Sequence, residues 1–222
     1  MLGFRRACLL ALPSLRPSFA SPGSTYGGFG DKASDDGTDW VTLAATVAGQ
    51  PVAVDEVDAR EAVLRSSPQT AALPRPGTSE GRQLRRWLTQ LLVTERVIAR
   101  EAAALGLAAD ADPGVEAVLP DLTARLEIGS IAAAVLADPL ARVLYAHVTS
   151  GVDVSAQAVA DYHRRNPGRF TSDAALAAHL RGAARRRAFR IWLDQRREAL
   201  VWLAPGYEHP GDPRQPDNTH KH

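Results

Sequence analysis

The chain has one cysteine, Cys8, so it can form no disulfide within itself and no cysteine-based zinc or iron–sulfur site. It has two lysines, Lys32 and Lys221, and draws nearly all its positive charge from arginine. The formal net charge is +1, which gives no global pull towards nucleic acid or an anionic membrane surface. No apolar run approaches the roughly 20 residues that span a bilayer, so no membrane span is expected. A G-x-S-x-G turn is not expected, and no strand–serine–helix nucleophile elbow can be drawn. The "GGFG" stretch at residues 27–30 precedes no helix, which removes it as a phosphate-binding loop.

The N-terminus carries Arg5 and Arg6, a short apolar stretch and a small-residue site near Ala20. Those are features of a signal peptide, but Pro13 and Arg16 interrupt the apolar part. Residues 21–38 are rich in glycine, serine and aspartate. The segment 1–38 is therefore read as a disordered leader or a weak signal peptide. With Cys8 as the only cysteine, the cytoplasm is the expected compartment and export the alternative.

Order is expected from residue 39. Residues 41–54, "VTLAATVAGQPVAV", read as a strand, a tight turn around Gly49 and a return strand. Asp55 is placed as the cap of a helix to about Leu64, with Asp58 as its capping-box acid. Prolines and glycines make 66–81 a loop. The longest amphipathic pattern follows, with Leu84, Trp87, Leu88, Leu91, Val97 and Ile98 on one face and arginines and glutamates on a wet opposite face. It runs about seven turns and ends at Gly106. Helical segments are expected over about 113–126, 128–137 and 154–166, with 140–149 open between helix and strand. A last helix spans about 174–203, with Gly182 marking a bend or a break. The expectation is a mainly α domain over 39–204 with one small β-hairpin, followed by a Pro/His-rich strap over 205–222.

The order of these segments resembles a known family. Val47, Gly49 and Val52 fit a "V-x-G-x-x-V" strand–turn unit, and Glu101, Ala102, Gly106 and Leu107 fit the end of a long helix, "E-A-x-x-x-G-L". Val154, Ser155, Val159, Tyr162, Asn166, Pro167 and Phe170 fit a "V-S-x-x-x-V-x-x-Y" segment closed by "N-P-x-x-F". Together they look like the chaperone module of SurA-like, parvulin-type foldases, over about residues 41–203. The family's prolyl isomerase domain would follow Phe170, and the residues that remain are too few and too helical for it. The resemblance therefore implies polypeptide binding without isomerisation. The closing stretch also resembles uncharacterised actinobacterial proteins, some labelled malonyl-CoA–acyl-carrier-protein transacylase. The missing elbow argues against that chemistry here.

Two site expectations follow. In the first, Trp87, Leu91, Tyr162, Phe170 and Trp192 line an apolar groove for an unfolded or partner polypeptide, although aromatic stripes at helical spacing usually face a core. In the second, His209, His220 and His222 in the tail hold Zn²⁺ or Cu²⁺, with Asp212 or Asp217 adding a carboxylate. The competing readings of the tail are a strap that docks through Tyr207 and needs no metal, and plain disorder. No other cofactor is expected. His147 and His163 lack a nucleophile and an orienting acid in sequence, so catalysis is not expected. Arg185, Arg186 and Arg187 are consecutive and fan around their helix, so a nucleic-acid stripe is not expected either. The alternatives to a chaperone-like module are a metal-binding accessory protein and a dedicated partner of a biosynthetic acyl-transfer or polyketide enzyme.

Overall fold

A computed structural model describes residues 42–212. The leader 1–38 and the tail residues His220 and His222 lie outside the described residues.

β1 (Leu43–Val47) and β2 (Gln50–Ala53) form an antiparallel hairpin. Its two-residue turn has φ of +49° at Ala48 and +80° at Gly49, the geometry whose twist matches that of paired strands. α1 (Val54–Arg65) follows without a loop. Its capping acid is Glu56, which accepts from the Ala53 N–H at 2.9 Å. Neither Asp55 nor Asp58 has that role, because the helix begins earlier than the sequence suggests.

A 3₁₀ turn at Pro68–Ala72 leads to α2 (Ser79–Ala104), capped by the Thr78 hydroxyl, which accepts from Gly81 N–H at 3.0 Å. α2 ends at Gly106, where φ is +64° and Leu107 N–H reaches back to Ala102 O at 2.9 Å. That backward bond satisfies a carbonyl the last helical turn would leave open.

The 113–126 region is two helices, α3 (Val115–Val118) and α4 (Leu122–Ile128). Pro120 lies between them, and Asp121 caps α4 by accepting from Ala124 N–H at 2.7 Å. α5 (Ser130–Val135) follows Gly129, whose φ of +92° turns the chain. The ambiguous segment is helical: α6 (Pro139–Val148) has Asp138 as cap and proline in its first turn. Arg142 on α6 is buried; it donates to Leu136 O and Ala137 O beyond α5 and is paired with Asp112. α7 (Ala156–Arg165) packs on α8 (Asp173–Leu200).

α8 runs through Gly182 unbroken and stops three residues before the sequence pattern suggests. Val201–Leu203 form β3, paired antiparallel with β1, so the sheet has the order β2–β1–β3. The small β element is thus a three-stranded sheet, and the described chain is otherwise helical, as the sequence reading holds.

α2 is the axis of the domain. It packs on α1, α5, α6, α8 and β1, and Arg86 to Leu91 are all buried. The expected wet face is covered only in part: Arg100 stays exposed, while Glu95, Arg96 and Glu101 are half-buried. α1 lies across it through Arg60–Glu95 at 2.7 Å, Glu61–Arg85 at 2.9 Å and Glu56–Arg96. Burial raises the Glu95 pKa, and Arg60 offsets part of that rise. Surface pairs of this type contribute about 1 kcal/mol or less each, so they set the helix's orientation more than its stability.

The apolar centre is Phe189, fully buried between Tyr145, edge-on at 5.2 Å, and Trp192, stacked at 5.5 Å. Truncating it removes both ring contacts and leaves a cavity. Phe189→Ala is expected to lower unfolding free energy by about 3–5 kcal/mol in urea denaturation followed by circular dichroism.

Candidate functional site

The expected groove residues separate into three environments. Trp87 and Leu91 are sealed in the core at 6% and 1% exposure, and Trp87 Nε1 donates to Ser130 Oγ at 3.4 Å. Trp192 is half-buried at the core's margin, with the Arg196 guanidinium 6.0 Å above its ring. Tyr162 and Phe170 are half-buried on the α7–α8 unit, edge to face at 6.1 Å, and Phe170 also lies 5.0 Å from the His179 ring. These two belong to a separate small cluster outside the main core. The five do not line one surface.

Apolar exposure lies elsewhere. Trp202, in the middle of β3, is 54% exposed. It pairs with Thr46 of β1, which in turn pairs with Pro51 of β2. The three side chains thus form one row across the sheet face opposite the core. Leu122 and Leu126 are exposed one turn apart on α4, and Ile191 is exposed on α8.

The histidines spread apart. His147 is exposed, and His163 Nδ1 lies 2.9 Å from Asp173 Oδ1 in an exposed pair. His179 joins Glu116, Asp121, Thr123, Glu127 and Arg186 around an open cleft of about 270 Å³ between α3, α4 and α8. Arg186 is buried there, with Nε and Nη2 donating to Glu127 Oε2 at 3.1 and 2.9 Å. A Cβ at Gly182 would meet Arg186 Nη1 at 3.2 Å, so the glycine lets the guanidinium lie along the helix. Among the described residues no three His, Cys, Asp or Glu side chains converge as a metal ligand set.

One motif escapes the sequence reading. Gly77-Thr78-Ser79-Glu80-Gly81 has the G-x-S-x-G spacing of a nucleophile turn. Ser79 opens α2 after a loop, however, and its hydroxyl bonds the adjacent Glu80 carboxylate at 3.0 Å. No histidine is hydrogen-bonded to it among the described residues. Both glycines have local reasons: Gly77 has φ of +80°, and a Cβ at Gly81 would sit 2.3 Å from Arg75 O. The segment caps a helix.

The best-built polar arrangement lies under the start of the tail. After β3 the chain turns back over α2 and α8. Arg86 Nε donates to Gly206 O at 3.1 Å and Gln90 Nε2 to Tyr207 O at 3.1 Å. Arg197 of α8 donates to Gln90 Oε1, and its Nε is buried without a hydrogen-bond partner. Burial works against the charge on Arg85, yet hydrogen bonds to Tyr207, Asp58 and Glu61 together hold it more firmly protonated. Tyr207 packs its half-buried ring against the core. Residues 204–212 are therefore a docked strap.

His209 is part of that strap. Its Nδ1 accepts from Gly211 N–H at 3.0 Å. Burial, and then the Arg197 cation, push its pKa below the ordinary 6.5, with Asp194 and Asp212 offsetting part of the fall. Burial also lowers the pKa of Arg197.

Residues 43–80, which cover the hairpin, α1 and the entry to α2, match a family of unknown function (DUF7158). No curated protein and no solved structure matches the chain. No helix among the described residues is long and apolar enough to cross a membrane.

A histidine whose docked pKa is depressed takes up protons more readily when released. The strap's anchorage is therefore complete above pH 6.5 and weakens as pH falls through the docked pKa. Hydrogen exchange is expected to show faster exchange of the Tyr207 and Asp212 amides at pH 5 than at pH 7.5, after correction for intrinsic rates. A His209→Gln chain is expected to lose most of that difference.

Proposed function

We propose that the protein is a non-catalytic polypeptide-binding module that holds an extended or partly folded chain on apolar surface. The observation that carries this is Trp202, 54% exposed in β3. A tryptophan in that position leaves a large, rigid, amphipathic ring available for sequence-tolerant contact. Thr46 and Pro51 extend the row across the sheet, and Trp192, Tyr162 and Phe170 supply further half-buried aromatic area. The resemblance to SurA-like modules supports the same reading.

The client surface in this proposal is the sheet's outer face. It replaces a groove built on Trp87 and Leu91, since both side chains are committed to the core. The metal reading draws no support from His209, whose Nδ1 is engaged within the strap.

Light scattering of a chemically unfolded client, diluted into buffer with the protein in excess, is expected to fall. Trp202→Ala is expected to weaken that suppression severalfold at unchanged helical circular dichroism. Trp87→Ala is expected to destabilise the domain by about 3–5 kcal/mol instead. Client scattering that the wild-type chain leaves unaltered would overturn the proposal.

A further inference from the structure

The open cleft between α3, α4 and α8 has two walls of opposite chemistry. α8 supplies donors. His179, Gly182 and Arg186 are spaced by three and four residues, which puts them on one face of that helix. The opposite wall, from α3 to α4, supplies acceptors in Glu116, Asp121 and Glu127. Glu116 and Asp121 are exposed and make no ion pair among the described residues. Asp121 Oδ1 caps α4, which leaves its other oxygen over.

Arg186 is the buried member, at 5% exposure, and a buried guanidinium needs acceptors for its N–H groups. Its Nε and Nη2 both donate to the same atom, Glu127 Oε2, at 3.1 and 2.9 Å. A fork-to-fork pair would engage both carboxylate oxygens. Here Nη1 has no acceptor among the described residues. Nη1 lies beside Gly182 and is the one side-chain atom that a Cβ there would meet, at 3.2 Å. Glycine inside a helix destabilises it relative to alanine. At this position it leaves Nη1 uncovered.

The geometry points to this cleft as a binding site for a small amino-carboxylate of the size of a basic amino acid. The ligand's carboxylate accepts from Arg186 Nη1, with His179 beside it on α8, and its cationic group lies between Glu116 and Asp121. A ligand with one charge alone leaves the opposite wall uncompensated. Among the described residues the carboxylates do not converge as a metal ligand set, which favours an organic cation over a divalent ion. The volume of about 270 Å³ lies below the ~300–1,000 Å³ of drug-sized sites, which keeps the ligand small. This site is separate from the sheet's aromatic row and does not rest on the polypeptide-binding reading.

Isothermal titration calorimetry on the full chain, at constant ionic strength, is expected to show saturable one-to-one binding of L-arginine. Agmatine is the same molecule without the carboxylate, and N-acetylglycine keeps a carboxylate without a cation. Each is expected to bind at least about tenfold more weakly. Gly182→Ala is expected not to lower the thermal midpoint, since alanine favours the helix, yet to weaken L-arginine at least about fivefold by crowding Nη1. Glu116→Gln, at an exposed position, is expected to weaken L-arginine and to leave the thermal midpoint unchanged. Trp202→Ala is expected to bind L-arginine like the wild-type chain, which keeps this site distinguishable from client holding. No saturable heat at millimolar L-arginine overturns the inference. Agmatine binding as tightly as L-arginine does so too, by marking a plain acidic patch, as does N-acetylglycine, by marking a plain anion site. A folded Gly182→Ala chain with wild-type affinity has the same force. Should that variant fail to fold, undiminished affinity in Glu116→Gln is decisive against the site.

Discussion

Gln90 sits at zero exposure in the middle of α2, and its amide has to be paired. An unpaired buried amide costs about 1–3 kcal/mol, a sizeable share of a small domain's stability. Its oxygen accepts from Arg197 and its nitrogen donates to the Tyr207 carbonyl. That one requirement ties α2 to α8 and draws residues 204–212 back across both. Thr89 and Thr94, equally buried, solve the same problem locally by donating to carbonyls one turn back on α2. Gln90 is too long for that solution and needs a partner distant in sequence.

The same helix accounts for the distribution of aromatic groups. A rod packed by helices on several sides and by β1 consumes Trp87, Leu91 and Phe189 as filling. Aromatic surface outside that centre persists where the enclosing layer is thin, at the three-stranded sheet and at the α7–α8 unit. α7 has no buried residue and packs on α8, and Tyr162 and Phe170 stay half-covered. The described domain therefore leaves an aromatic row exposed on the sheet, and it covers the polar side chains Arg86 and Gln90 with residues 204–212 of the chain itself.

Much of the architecture was legible from local chemistry. Val47-Ala48-Gly49-Gln50 reads as a tight turn because only residues tolerant of positive φ fit one, and the structure places the turn there. Ser155 reads as a helix cap and is one, while Thr78, Asp121, Asp138 and Ser172 cap helices without having been singled out in the sequence. The 140–149 segment is helical because Asp138 and Pro139 fix its start, a signal stronger than its mixed periodicity. Other features carried no local mark. Val201–Leu203 continue the helix's apolar pattern in sequence, and only the open edge of β1 turns them into a strand. The groove under the strap was partly legible: Tyr207 stood out as an anchor, but Arg86 and Gln90 looked like ordinary polar positions on a solvated face.

The sequence by itself determined the hairpin and the existence of most of the helices, because each follows from periodicity or turn chemistry within a few residues. Tertiary structure alone decided which aromatic rings are filling and which are surface, that Arg86 to Leu91 of α2 are all buried, and that residues 204–212 are a docked strap. Those outcomes depend on what lies across from a residue: packing and the pairing of buried polar atoms join groups more than a hundred positions apart, as Gln90 and Tyr207 are. No pattern confined to one segment carries that information.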